Sequence, residues 1–177
     1  MTSQIAQPWN VLFLCTGNSA RSIMAEAMLN KLGGGRFRAW SAGSHPAGAV
    51  HPFAIEQIAA AGCPPAELRS KSWDEFAAPD APQMDFIITV CDNAAGEVCP
   101  VWPGHPISAH WGFADPAAAT GTDEERRAVF ARIAKQIHAR VSLLTQLPIA
   151  TLEKAAIQRE MDGIGALQLG GDHVRAM

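Results

Sequence analysis

Val11-Leu12-Phe13-Leu14-Cys15-Thr16-Gly17-Asn18-Ser19-Ala20-Arg21-Ser22 is an apolar run that ends in a cysteine and turns at once into a helix-forming stretch. Consecutive apolar residues with no polar alternation suit a parallel strand buried on both faces. Gly17 and Asn18 are residue types that tolerate positive backbone angles, so the chain can fold tightly after the strand and point successive N–H groups inward. A helix opening at Ser22 adds its positive end to the same pocket. Thr16, Gly17, Asn18, Ser19, Ala20, Arg21 and Ser22 therefore read as a cradle for a tetrahedral oxyanion. Arg21 contributes a planar, two-pronged donor. The same positive field favours thiolate over thiol, so Cys15 is expected to titrate below the free value of about 8.5 and to act as a nucleophile. Ser22 is placed to donate a hydrogen bond to its sulfur.

Outward from this stretch, strand and helix patterns alternate. Ala25, Met28, Leu29 and Leu32 fall at helical spacing over Ser22–Leu32, and Gly33-Gly34-Gly35 ends that helix. Phe37, Ala39 and Ser41 alternate with Arg36, Arg38 and Trp40, which predicts a strand and completes one parallel unit. His51-Pro52 opens a second helix that ends near Gly62, and Ser72 caps a short helical piece beginning at Trp73-Asp74. Phe86–Val90 is the most β-prone segment and delivers Cys91 at its carboxyl end; Pro106–Trp111 predicts a fourth strand. A loop over Gly112–Gly121 holds Asp115-Pro116. Thr122 then caps a helix carrying Phe130, Ile133, Ile137, Val141 and Leu144, which stops before Pro148. Thr151–Gly163 predicts a weaker amphipathic helix, and Gly163–Met177 a frayed tail. The pattern predicts an α/β three-layer sandwich: a four-stranded parallel sheet with helices on both faces, spanning residues 1–148, followed by a helical extension and tail over 149–177. Ligands of such sheets bind at the carboxyl ends of the strands, so Cys15 and Cys91 can face one crevice.

With 177 residues the chain is long enough for one sizeable core, and its net charge of −3 gives no basic face for nucleic acid. No apolar run approaches the roughly 20 residues that span a bilayer, and Met1–Asn10 lacks a basic region followed by an apolar core. A cytoplasmic chain without membrane or nucleic-acid partners is expected. In that reducing compartment Cys15, Cys63, Cys91 and Cys99 are thiols rather than a disulfide framework. A zinc site is disfavoured, because no Cys-x2-Cys pair occurs and the histidines are scattered. Cys63, before Pro64-Pro65, reads as a packed small side chain. His45, His51, His105, His138 and His173 read as surface or turn residues, and His110 and Trp111 either as pocket floor or as loop anchors.

The Cys-x5-Arg-Ser run, placed early in the chain and after a strand, resembles the signature of the low-molecular-weight protein tyrosine phosphatase superfamily. Asp115-Pro116, following His110-Trp111-Gly112-Phe113, resembles that family's aspartate-proline loop, which implies Asp115 as the acid that protonates the leaving oxygen. The chain contains no tyrosine, and Ala117-Ala118-Ala119 stand where such phosphatases usually carry aromatic residues flanking an aryl substrate. A smaller oxyanion is therefore the better expectation. With Thr89-Val90-Cys91-Asp92-Asn93-Ala94 and Cys99-Pro100 added, the chain is similar over about residues 10–147 to arsenate reductases built on this phosphatase fold.

That resemblance implies a thiol relay. Cys15 attacks arsenate held by Arg21 and the loop amides, Cys91 attacks the sulfur of Cys15 as arsenite leaves, and Cys99 moves the disulfide to where a reductant reaches it. It implies no tightly bound cofactor but an external thiol reductant, thioredoxin or glutathione with glutaredoxin. Cys91 and Cys99 stand eight apart, one residue wider than in the thioredoxin-coupled members, which leaves the reductant open. Phosphate and sulfate are implied competitors, weak phosphatase activity a by-product, and a monomer or weak dimer the assembly. Some members bind potassium behind the anion loop; the matching residues are Asn18, Glu26, Ser41 and Asp74, for which a plain hydrogen-bond network is the alternative. Two rival functions differ in outcome. A phosphatase acting on phosphotyrosine or a small phosphoester would turn over without Cys91 and Cys99, and a non-catalytic oxyanion or redox sensor would bind without turnover.

Overall fold

The apolar run forms strand β1 (Trp9–Cys15), which takes an inner place in a four-stranded sheet of order β2-β1-β3-β4. The computed structural model of the chain describes residues 7–64, 67–91 and 102–168. In chain order the remaining elements are α1 (Arg21–Leu32), β2 (Phe37–Gly43), α2 (Pro52–Ala60), α3 (Asp74–Ala77), β3 (Phe86–Thr89), β4 (Ile107–His110), α4 (Asp123–Thr145) and α5 (Lys154–Ala166). Short 3-10 turns lie at Pro116–Ala118 and Ile149–Thr151. All three strand pairings are parallel, with Val11 opposite both Ala39 and Phe86. The expected α/β sandwich is thus the observed one. The C-terminal helix begins three residues later than its sequence pattern suggests, because the 3-10 turn after Pro148 comes first.

Alternation along β1 divides the core. Val11, Phe13 and Cys15 face Ile23, Met24 and Leu29 of α1, Phe53 and Ile58 of α2, and Phe130, Ile133 and Ile137 of α4. Leu12 and Leu14 face the other way, against Ala42, Phe76 of α3, Met84 and Ile87, with Trp40, Trp73 and Trp102 packed around them. Each fully buried leucine, isoleucine or phenylalanine contributes roughly 1.5–3 kcal/mol relative to exposure. This two-sided burial explains why the central strand shows no polar alternation. The expected capping of α4 is present: the Thr122 hydroxyl accepts from the Glu125 N–H at 3.1 Å.

Side chains and neighbouring segments take up backbone groups on both outer strands, a recurring need of open sheets. On β2, the Asn30 side chain donates to the Ala39 carbonyl at 3.1 Å and accepts from the Ala39 N–H at 2.8 Å. Further along the same edge, Gly43 N–H donates to Lys71 O and Gly43 O accepts from Trp73 N–H, at 2.9 and 3.0 Å. On β4, the Gln158 amide of α5 donates to the Ser108 carbonyl at 2.8 Å. Residues 149–168 are therefore no loose appendage: Ile149, Ile157, Met161 and Ile164 share the main core with Ile107, Ala109 and Trp111. No helix among the described residues is long and apolar enough to cross a membrane.

Gly43 marks where the sheet edge meets the loop after β1. A Cβ there would lie 2.4 Å from the Thr16 carbonyl oxygen and 3.0 Å from both the Cys15 oxygen and the Asn18 Cβ. Gly43→Ala is expected to cost about 1–3 kcal/mol through overpacking. A lower urea midpoint at unchanged m-value checks it; an unchanged midpoint would show that the loop gives way freely.

Candidate active site

The loop after β1 is shaped by where its carbonyls go. Thr16 O accepts from His45 N–H at 2.9 Å, Gly17 O from Ala47 N–H at 2.8 Å, and Ser19 O from His51 N–H at 2.8 Å. With these carbonyls turned outward, the loop's N–H groups face the opposite way, into the cradle. Asn18 takes the left-handed conformation at φ 45°, whereas Gly17 does not, so only one of the two expected residues makes the turn. Asparagine tolerates that region because its short side chain bonds locally. Here Asn18 donates to the Ser22 hydroxyl at 2.8 Å and accepts from the Lys71 N–H at 2.9 Å. Helix α1 starts at Arg21, and its N-cap, Ala20, offers no side-chain acceptor, leaving the first-turn amides available to an anion.

A cavity of about 270 Å³ opens over this loop, lined by Cys15, Thr16, Gly17, Ser19, Ala20, Arg21, Cys91, Asp115 and Ala117. Four of the five residues expected to do chemistry come together there, from the ends of β1 and β3, the start of α1 and the loop after β4. The fifth, Cys99, lies outside the described residues. Asn18 and Ser22, both fully buried, brace the cradle from beneath instead of lining it. Ser22 is engaged as the acceptor of Asn18.

The two cysteines meet directly. Cys91 Sγ accepts the Thr16 N–H at 3.3 Å, so the second sulfur sits on an amide of the cradle itself. Arg21 donates from Nη1 to the Phe113 carbonyl at 3.0 Å, and its Nη2 lies 3.7 Å from Asp115 Oδ1. Asp115 also accepts from the Ala117 N–H at 3.0 Å, which caps the 3-10 turn and aims the carboxylate at the cavity. Cys15 departs from its expected titration. The neighbouring Cys91 thiol and then burial push the Cys15 thiol up, against the opposing pull of Arg21 and the Gly17 amide. The sequence-based expectation of a depressed value omitted the second thiol. Once Cys91 moves off, the positive groups are left with less opposition.

Behind the loop, Lys71 is 7% exposed and its ammonium lies 3.3 Å from Glu26 Oε1, which also accepts from the Ser41 hydroxyl at 2.9 Å. Lys71 Nζ further donates to Arg69 O at 3.1 Å. The residues that the resemblance offered to potassium do not fit an added ion. A lysine already neutralises Glu26, and Asp74 is exposed, its N–H bonded to the Ser72 hydroxyl. Among the described residues no group of three or more histidine, cysteine, aspartate or glutamate side chains could hold a metal.

Lys71 was not singled out by sequence reasoning, because nothing local marks a lysine as buried when its partner lies 45 residues away. His51, a surface or turn residue by its sequence, is structural. Its Nδ1 accepts from Phe53 N–H at 3.1 Å to cap α2, and its ring stacks on Phe130 with centroids 4.6 Å apart. Burial and Arg126 push its pKa down while Asp115 pulls it up. The His-Pro step before a helix was the available signal. Trp111 is the anchor of the two offered alternatives, buried and donating from Nε1 to Met161 O at 3.0 Å; His110 is exposed, paired with the Thr89 hydroxyl at 2.8 Å. Cys63 is buried with its thiol pushed up by desolvation, as a packed side chain should be.

Residues 10–160 match the family model of the low molecular weight phosphotyrosine protein phosphatases. Among individual proteins, the chain is 40% identical over 136 residues to an arsenate reductase of Halalkalibacterium halodurans, covering 77% of this chain and 94% of that one. The structure resembles that of an arsenate reductase from Archaeoglobus fulgidus, with TM-score 0.61, 30% identity and coverage of 77% of this chain and 99% of that one. It also resembles a thioredoxin-dependent arsenate reductase of Corynebacterium glutamicum, with TM-score 0.51, 25% identity and coverage of 79% and 65%.

The buried pair beneath the loop sets a pH signature. Burial raises the Glu26 pKa, with Lys71 and Ser41 acting against it. A folded-state value above the unfolded one, about 4.3, means that the folded chain binds more protons in that interval, so this group's contribution to stability falls as pH rises through it. Lys71→Met removes the chief opposing charge and is expected to cost about 3–5 kcal/mol near neutrality, where it strands the carboxylate. The loss should be smaller at pH 5 than at pH 8 in paired urea titrations; an equal loss at both would show that Lys71 does not act through Glu26.

Proposed function

We propose that this chain, which belongs to the low molecular weight phosphotyrosine protein phosphatase family, is an arsenate reductase that uses Cys15 as nucleophile and Cys91 as the first reducing thiol. The observation that carries the reading is the Cys91 sulfur seated on the Thr16 N–H, in the same cavity as Cys15, Arg21 and Asp115. Hydrolysis of a phosphoester has no use for a second thiol there, whereas reduction of a bound oxyanion requires one. The cavity wall fits a small substrate too, since Ala117 occupies the position beside the acid and no tyrosine exists to flank an aryl ring. The arsenate reductases among the relatives support the same assignment.

The chemistry follows from the placement. Arsenate enters the cradle, takes up the inward N–H groups and Arg21, and displaces the Cys91 sulfur from the Thr16 amide. Its arrival leaves Cys15 with the arginine and the amides as its main neighbours, which favours the thiolate. Cys15 attacks arsenic(V), and one oxygen leaves as water after Asp115 delivers a proton, giving a thiol-arsenate adduct. The Cys91 thiolate then attacks Cys15 Sγ. The sulfur–arsenic bonding pair stays on arsenic, which departs as arsenite in the +3 state, and a Cys15–Cys91 disulfide remains. Two thiols have each lost one electron and arsenic has gained two.

Regeneration needs a further thiol, and Cys99 is the one assigned to it. Attack by Cys99 on Cys91 frees Cys15 and leaves a Cys91–Cys99 disulfide for a dithiol protein to reduce. Thioredoxin is the favoured reductant, since the Corynebacterium neighbour is thioredoxin-dependent. The reaction belongs in the reducing cytoplasm, where the thiols start reduced.

A single turnover decides the reading. Fully reduced protein given stoichiometric arsenate and no reductant should release one arsenite per chain and lose two thiols. Cys91→Ser should release none, and Cys15→Ser should neither release arsenite nor lose thiols. Arsenite release by Cys91→Ser at the wild-type rate would overturn the relay, and an aryl phosphate hydrolysed steadily by a chain inert to arsenate would make it a phosphatase.

A further inference from the structure

The segment between β4 and the acid is held at four successive residues, and the C-terminal helix or its partner Arg140 is involved in each contact. His110 presents its carbonyl to Gly165 of α5, where a Cβ would lie only 2.4 Å from the oxygen. Trp111 donates from its ring to the Met161 carbonyl at 3.0 Å. Gly112 O accepts from Arg140 Nη1 at 2.8 Å, and Phe113 lies under the Arg140 guanidinium, 4.6 Å from its carbon to the ring centroid. Arg140, on α4 and 6% exposed, spends its other nitrogen on α5, donating from Nη2 to Gly165 O at 3.2 Å and Leu167 O at 3.0 Å. A buried guanidinium shared between two backbone segments fixes their relative position, because pulling either away strands a desolvated charge.

The next contact passes to the cradle. Phe113 O accepts from Arg21, whose second nitrogen faces Asp115. The C-terminal helix, Arg140, residues 110–113, Arg21 and Asp115 thus form one continuous set of contacts. Met161, Gly165 and Leu167 all lie beyond residue 160, where the family match ends. The end of α5 therefore adds to the acid loop something the matched region does not contain.

We propose that the C-terminal helix acts as a strap on the aspartate loop, with Arg140 as the positioning residue that sets where Asp115 delivers its proton. The proposal rests on the reading of Asp115 as the acid of the first step. Its physical content is that the loop from Gly112 to Asp115 has little regular structure of its own: Gly112 and Phe113 are held by Arg140, with Val90 O and Arg21 also bonded to Phe113, and Gly165 backs His110 and Trp111 just before it. A loop freed at one end would leave the cradle amides intact, since those are fixed by residues 45–51 and by Lys71, and Arg21 is the one group that loop and cradle share. Proton delivery should therefore suffer far more than anion binding.

The test uses the full-length chain. Gly165→Ala forces the helix off the His110 carbonyl, Arg140→Lys retains charge but cannot reach three carbonyls, and Arg140→Met removes the charge. Each is made alone and with Asp115→Asn. Asp115→Asn alone should slow single-turnover arsenite release roughly 10²-fold. Gly165→Ala and Arg140→Met should each slow it about tenfold or more, Arg140→Lys less, with the dissociation constant for inorganic phosphate changed by no more than about twofold. In the Asp115→Asn background the strap variants should add almost nothing. Losses that multiply in that background, or phosphate affinity that falls in step with rate, would overturn the strap. An Asp115→Asn chain turning over at the wild-type rate would overturn the acid assignment itself, and with it the purpose given to the strap. Should Arg140→Met not fold, Gly165→Ala and Arg140→Lys carry the same comparison.

Discussion

Three outward backbone carbonyls govern this molecule. Thr16, Gly17 and Ser19 spend their oxygens on N–H groups of the 45–51 segment, and that single choice turns the loop amides inward. Inward-facing backbone amides are costly to bury without an acceptor, and favourable when an anion fills the space between them. The surrounding structure keeps it in place: Asn18 in the left-handed conformation, its side chain tied to Ser22 and Lys71, and Gly43 close beneath Thr16. A loop held in this way needs no rearrangement to receive a tetrahedral oxyanion, which is what preorganised electrostatic stabilisation requires.

Charge beneath the cradle is managed by the chain itself. Glu26 and Ser41 hold an acceptor in the interior, and Lys71 supplies the cation, tethered through its backbone to Asn18 at the turn of the loop. A covalently attached ammonium cannot diffuse away, so the stiffness it lends the loop does not depend on the ionic composition of the medium. The same loop carries two sulfurs. Cys91 accepts the Thr16 amide, and its thiol together with burial pushes the Cys15 thiol up.

The loop of Asp115 is organised differently from the cradle. Asp115 stands on a loop whose fixed points belong to distant parts of the chain: Arg21 at the start of α1, Arg140 near the end of α4, and Gly165 near the end of α5. Arg21 is the one support that this loop shares with the cradle. The end of the C-terminal helix, which these contacts reach, lies beyond the family match.

The sequence by itself determined the parallel sheet, the helix periods and the loop after the first strand, because each rests on local spacing: an apolar run, a 3.6-residue stripe, a Cys-x5-Arg interval. It also singled out Asp115 and Cys91, which the structure brings to the same cavity as Cys15. Tertiary structure alone decided the rest. That Lys71 rather than potassium faces Glu26 depends on a lysine whose burial is set by a fold 45 residues wide. That Cys15 is raised and not lowered depends on a sulfur delivered by another strand, and a one-dimensional pattern carries no distance between them. That Asn18 and Ser22 brace the loop while their neighbours line it follows from side-chain direction after the turn. The strap over residues 110–113 follows from how the last helix packs along the sheet edge. Local periodicity encodes elements; burial, charge pairing and proximity across the chain come into being only when the elements pack.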